Sequence, residues 1–102
     1  MNYDKLVRDY IPDLIKQDGL FRVTHVAGSE EYKDRLEAKL REEVDEFLRD
    51  SKVEELADVF EVLLEFCQYY NFSVELVDCV RKKKAKEKGC FKKRIILDSV
   101  KT

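Results

Sequence analysis

Two pairs of acidic residues are the side chains in this sequence best suited to chemistry. Glu43 and Glu46 are three residues apart, and so are Glu55 and Asp58. This spacing places both acids of a pair on one face of a helix. Projection at about 100° per residue puts Glu43 inside the apolar stripe of its helix and Glu55 in line with the apolar residues of the next.

Such carboxylates need neutralising partners if they meet between packed helices. A buried carboxylate without a partner is strongly unfavourable, so protons, basic side chains or divalent cations must compensate the charge. Mg²⁺, with Mn²⁺ as the alternative, suits carboxylate oxygen and keeps positions open for water and phosphate. The four acids are therefore candidates for a metal site, and solvated helix faces or ion pairs are the alternative.

Basic residues are the candidates for binding the phosphates of a substrate. They are Lys5, Arg8, Lys39, Lys84, Lys88, Lys93 and Arg94. Residues 81–94 carry nine basic residues and one acid, whereas residues 30–65 carry 14 acids and six basic residues. This separation suits a metal with a polyphosphate, and it equally suits two halves of a salt-bridged surface.

Four helices are predicted to position these residues. A short helix with Pro12 in its first turn ends near Gly19, and apolar residues at spacings of three and four predict long helices over 29–50 and 52–70. A further helix runs from Ser73, as its cap, to about Lys88. The predicted boundary signals are a capping box of Ser51 and Glu54, a left-handed stop at Asn71 and a stop at Gly89. Residues 21–27 and 91–97 are predicted to pair as short strands, which gives an all-α bundle of about four helices with a minor β segment.

Composition sets the expected class of protein. A length of 102 residues predicts one domain, 1–102, and a chain this short is expected to form a homodimer or a higher homo-oligomer. The sequence has three cysteines, Cys67, Cys79 and Cys90. Because their number is odd and their spacing is not that of a metal site, we expect free thiols in a reducing compartment. There is no secretory signal pattern and no apolar run long enough to span a membrane, so a cytoplasmic protein without a membrane partner is predicted.

Four segments resemble the MazG-like all-α nucleoside triphosphate pyrophosphohydrolase superfamily. They are KLREEVDEF at 39–47, EELADV at 54–59, KLVRDYIP at 5–12 and KGCFKKRI at 88–95. The terminal segments are similar to a small, single-domain "house-cleaning" branch, related to phosphoribosyl-ATP pyrophosphohydrolases. Cys90 stands where that branch has a second glycine, and Lys88 where it has arginine.

The resemblance implies a hydrolase that uses magnesium to cleave the α–β phosphate bond of a canonical or noncanonical nucleoside triphosphate, which gives a monophosphate and pyrophosphate. It makes Glu43, Glu46, Glu55 and Asp58 the metal ligands and catalytic residues. The alternative is a non-catalytic helical dimer that binds nucleic acid or nucleotide through residues 81–94. Nucleic acid is the less favoured partner, because the acidic middle of the chain repels phosphate without a metal. A third possibility is a regulator that keeps the metal site without activity.

Overall fold

Residues 4–102 of the chain form four helices. The computed structural model describes residues 4–102. The N-terminal arm predicted from the sequence is residues 1–19, and its first three residues lie outside the described part. The helices are α1 Ile11–Gln17, α2 Ser29–Asp50, α3 Val53–Tyr69 and α4 Val74–Lys88. Residues 4–102 contain no strand, so the all-α prediction is confirmed.

The predicted strand pair over 21–27 and 91–97 is wrong. Neither segment forms a strand, and their large apolar side chains are exposed, with Phe21 at 105% and Ile95 at 78%. Apolar and β-branched composition favours extended backbone, but a strand persists only when a neighbour pairs its backbone and covers one face. The local composition therefore favoured extended backbone, but neither segment has a neighbouring strand with which to pair.

Most of the predicted helix boundaries are confirmed. Pro12 lies at the start of α1, and the Ser73 hydroxyl accepts a hydrogen bond from the Leu76 amide at 3.0 Å. Asn71 has φ 58° after α3, and Gly89 has φ 88° at the end of α4. These positions combine an N-cap acceptor with residues that tolerate positive φ at helix ends.

The predicted capping box at Ser51 and Glu54 is wrong. Ser51 adopts φ 53° as the left-handed C-cap of α2, and its amide donates to the Phe47 carbonyl at 2.7 Å. Lys52 then precedes α3 with extended backbone and no side-chain cap. Only two residues, Ser51 and Lys52, connect α2 and α3. Because Ser51 is the C-cap of α2, it does not also cap α3.

Helices α2 and α3 pack against each other as an antiparallel pair. The pairing is antiparallel because Ser29, at the start of α2, lies 3.3 Å from the hydroxyl of Tyr69, at the end of α3. The buried apolar residues are Leu36 on α2 and Val59 and Val62 on α3. Among residues 4–102, no helix is long and apolar enough to span a bilayer.

Candidate functional site

A cleft lies between the packed pair α2–α3 and the N-terminal segment that precedes and includes α1. Its volume is about 530 Å³, and its walls include five carboxylates and two basic side chains. These groups are Asp9, Glu43, Asp58, Glu61, Glu65, Arg8 and Lys39. The cleft therefore combines acids from both long helices with cations from the arm and from α2.

Glu43 is the buried charged residue of the cleft. Its exposed fraction is 6%, and its Oε1 lies 3.2 Å from the Nζ of Lys39, itself largely buried. Within the described part of the chain, its Oε2 is buried and has no hydrogen-bond partner. Buried polar atoms are nearly always paired, so an orphaned carboxylate oxygen in a cleft marks a place where a ligand could bind.

Glu46 lies one turn further along α2, close to Glu43. The Glu43 carboxylate raises the pKa of Glu46 above its ordinary value, and partial desolvation and Glu42 raise it further. Such a shift is the signature of like charges held together, and a cation placed between them would relieve it. Glu43 and Glu46 thus form the pair that the sequence predicted, although Glu46 does not line the cleft itself.

The two acids predicted on α3 lie in different surroundings. Asp58 lines the cleft, and its Oδ1 accepts a hydrogen bond from the guanidinium of Arg8 at 2.7 Å. Glu55 is half-buried and does not line the cleft. Within residues 4–102, no three Asp, Glu, His or Cys side chains are arranged to hold a metal ion. The four predicted ligands therefore share the α2–α3 pair without converging on one point.

Ion pairs connect the N-terminal arm to side chains of α2 and α3. Besides the Arg8 contact, Lys5 donates to Glu42 at 2.8 Å, and Arg35 lies 2.9 Å from Asp4. The hydrogen bond between Lys5 and Glu42 raises the pKa of the lysine and lowers that of the glutamate. Three predicted phosphate-binding residues, Lys5, Arg8 and Lys39, are thus close to the acids and neutralise them.

The basic residues predicted near the C-terminus lie elsewhere. Lys84, Lys88, Lys93 and Arg94 are exposed and do not line the cleft. On the same helix, Arg81 and Lys82 pair with Asp78 at 2.8 and 3.1 Å. The structure therefore brings the arm residues to the acids, whereas residues 84–94 remain apart from the cleft.

Glu61 and Glu65 were not among the predicted site residues. Both line the cleft, and Glu65 accepts a hydrogen bond from the Tyr32 hydroxyl at 3.3 Å. Burial, reinforced by Glu65, raises the pKa of Tyr32. Spacings of three and seven residues from Asp58 place both glutamates on the face of α3 that carries Asp58, and this signal could have identified them.

Comparison with known proteins finds no family model, no curated protein and no solved structure that matches this chain.

Proposed function

We propose that the protein is a magnesium-dependent nucleoside triphosphate pyrophosphohydrolase of the MazG-like type. It would cleave the α–β phosphate bond and release a monophosphate and pyrophosphate. The observation that carries this proposal is the buried, unpartnered Oε2 of Glu43 beside a second carboxylate, Glu46. The similarity of segments 39–47 and 54–59 to the superfamily supports the same reaction.

The donor chemistry of this pair fits a hard divalent cation. Carboxylate oxygen is the preferred ligand of Mg²⁺ and is also accepted by Mn²⁺. Glu43 offers a desolvated oxygen without a partner, and Glu46 carries a pKa raised by its neighbour. Glu55 and Asp58 are the proposed ligands on α3, and Asp58 becomes available when Arg8 moves away. A bound Mg²⁺ would neutralise the polyphosphate and lower the pKa of the attacking water.

The chain's own residues would orient the substrate and accept a proton from the attacking water. Lys39, whose Nζ lies 3.2 Å from Oε1 of Glu43, would hold that carboxylate in place beside the substrate. One of the four proposed carboxylate ligands would accept the proton of the attacking water. Lys5 and Arg8 would transfer from carboxylates to phosphate oxygens as the substrate enters. Phosphate binding by the basic residues near the C-terminus stays a prediction; these are Lys84, Lys88, Lys93 and Arg94.

Product analysis tests the reaction directly. The protein is incubated with Mg²⁺ and a panel of ordinary and modified nucleoside triphosphates, and pyrophosphate and monophosphate are measured. Glu43→Gln and Asp58→Asn should each lower turnover at least about 100-fold and weaken Mg²⁺ binding, with helix content unchanged. Asp45→Asn, on the exposed side of α2, is the control. Equal activity in Glu43→Gln and the unaltered protein would refute the proposal.

A second candidate function is nucleic-acid binding through residues 81–94. The exposure of Lys84, Lys88, Lys93 and Arg94 outside the cleft favours it, because phosphate backbones are bound by accessible cations. Binding to DNA is measured against salt, with Lys84→Gln combined with Lys88→Gln as the variant. A steep salt dependence that the variant reduces, without pyrophosphate release, would favour this function over hydrolysis.

The proposed setting is the cytoplasm, with a second copy of the chain as partner. Cys67, Cys79 and Cys90 are free thiols, which is typical of a reducing compartment.

A further inference from the structure

The two ends of the cleft carry different chemical groups. At one end, Arg8 lies beside Asp58, and Glu43 carries its buried, unpartnered Oε2. At the other end, the hydroxyl of Tyr32 donates to Glu65 at 3.3 Å. Glu65 follows Asp58 by seven residues, which is two turns of α3 and a rise of about 10 Å. The cleft is therefore long enough to hold the phosphates of a nucleotide at one end and its base at the other.

Acidic side chains surround the end of the cleft at Tyr32. Glu61 lies one turn before Glu65 on α3. Burial, then Glu65 and then Asp9 raise the pKa of Tyr32, which places Asp9 near the same end. We call Asp9, Tyr32, Glu61 and Glu65 the acceptor end. An ionised carboxylate only accepts hydrogen bonds, and both basic side chains among the described residues that line the cleft pair with acids of the other end. A ligand bound at the acceptor end must therefore supply hydrogen-bond donors.

Apolar side chains line much of the cleft. Leu36 of α2 and Val62 of α3 contribute to its walls, together with Ile11 and Leu14 of α1 and the ring of Tyr32. Pockets that bind small molecules combine such walls with a few polar groups, and the volume of about 530 Å³ lies in their usual range. An aromatic side chain at the acceptor end offers a surface on which a flat ring can stack. The walls therefore suit a planar ring that bears N–H donors, as a nucleobase does.

We propose that the acceptor end selects guanine over the other bases, and that Glu65 is the residue that recognises it. The inference rests on the proposed function, because it places the triphosphate at Glu43 and Asp58. Guanine carries a ring N–H beside a 2-amino group, and two adjacent donors match the two oxygens of one carboxylate as an arginine side chain does. Each oxygen of Glu65 has two lone pairs, so the hydrogen bond from Tyr32 leaves acceptors free.

The other bases fit the acceptor end less well. Hypoxanthine lacks the 2-amino group, adenine and cytosine carry a bare ring nitrogen beside their amino group, and uracil and thymine hold their N–H between two carbonyls. A carbonyl or bare ring nitrogen that faces a carboxylate loses its water without gaining a hydrogen bond, which is unfavourable. Guanines modified on their imidazole side keep both donors. The substrate class is therefore guanine nucleoside triphosphates, including those modified on that side.

Binding of analogues that cannot be hydrolysed tests the selectivity without the reaction. The α,β-methylene analogues of GTP, ITP and UTP are titrated into the full chain with Mg²⁺ in a calorimeter. The GTP analogue should bind at least about tenfold more tightly than the ITP analogue, which lacks only the 2-amino group. It should bind at least about 100-fold more tightly than the UTP analogue. Equal affinities for the GTP and ITP analogues, or no binding of any analogue, overturns the proposal.

Two matched variants assign the selectivity to Glu65. Glu65→Gln should reduce the affinity ratio between the GTP and ITP analogues to less than about threefold, because an amide has one acceptor oxygen and no charge. Glu87→Gln, at an exposed position of α4 outside the cleft, should keep the ratio of the unaltered protein. A general loss of folding lowers both affinities together, so it does not imitate this result. An unchanged ratio in Glu65→Gln overturns the role of that residue.

Hydrolysis of the natural triphosphates separates this inference from the proposed reaction. The unaltered protein should cleave GTP with a kcat/KM at least about tenfold above that for ITP, and it should cleave UTP least. Equal kcat/KM values for the three triphosphates would leave the reaction intact and overturn the selectivity. The expected order of analogue affinities without cleavage of any triphosphate would refute the reaction and support the guanine site.

Discussion

The guanidinium of Arg8 lies 2.7 Å from the carboxylate of Asp58, across 50 residues of sequence. A basic side chain of the arm thus occupies a cation position at one of the acids proposed to bind metal. The pair is partly exposed on both sides, so it contributes little to stability and can separate at low cost. The proposed entry of a metal at Asp58 would therefore require release of Arg8.

Removing the Arg8 charge should strengthen metal binding. Arg8→Gln eliminates the competing cation at Asp58, and the loss of one exposed ion pair corresponds to up to about fivefold in affinity. Titration calorimetry of the free protein with Mg²⁺ measures the effect, while the thermal midpoint should stay nearly unchanged. Arg22→Gln, which alters an exposed arginine in the segment after α1, is the control. Weaker Mg²⁺ binding by Arg8→Gln would contradict the coupling.

Glu46 should make the metal-free protein less stable as pH rises. Its pKa in the folded chain is raised above the ordinary value of 4.5 by the Glu43 carboxylate. In the pH window between 4.5 and the raised pKa, the folded state therefore binds more protons than the unfolded state. The unfolding free energy should therefore fall as pH rises from about 4.5 through the raised pKa. Glu42, whose pKa Lys5 lowers, acts in the opposite direction below that window.

Urea unfolding in the presence of a chelator measures this dependence at several pH values. Glu46→Gln should flatten the profile above pH 4.5, whereas Asp45→Asn should keep it. An unchanged profile in Glu46→Gln would show that the carboxylate pair does not control stability.

Leu36 should dominate the stability of the α2–α3 contact. Its side chain is 1% exposed, and truncation of a fully buried leucine leaves a cavity that costs about 2–5 kcal/mol. Leu36→Ala is compared with Leu48→Ala, at a position 69% exposed on the same helix, which should cost less than about 0.5 kcal/mol. Denaturant unfolding at fixed protein concentration distinguishes them, and similar losses would refute the assigned packing.

The Ser73 cap should stabilise α4 locally. Its hydroxyl accepts the Leu76 amide at 3.0 Å, and loss of such a cap costs about 1 kcal/mol. Because α4 has no buried residue, Ser73→Ala should accelerate amide exchange in the first turn by about fivefold. Ser99→Ala, in the exposed C-terminal segment, is the control. Unchanged exchange at Leu76 would show that the cap does not stabilise the helix.

The sequence by itself determined the four helices and most of their ends. Apolar spacing at the helical period marked α2 and α3, and Pro12, Asn71, Ser73 and Gly89 marked boundaries, because each of these signals acts within one or two turns of backbone. The same periodicity placed Glu43 on a buried face of α2. Local physical chemistry was sufficient for these predictions, since it depends only on neighbours in the chain.

Only the tertiary structure decided which charges meet. The contact of Arg8 with Asp58 and the addition of Glu61 and Glu65 to the cleft depend on how α2, α3 and the arm pack. The role of Ser51 as a C-cap followed from the two-residue connection, and residues 21–27 and 91–97 had no neighbour with which to form strands. Distant contacts depend on the balance of burial, ion pairing and chain geometry over the whole fold, and no short segment contains that information.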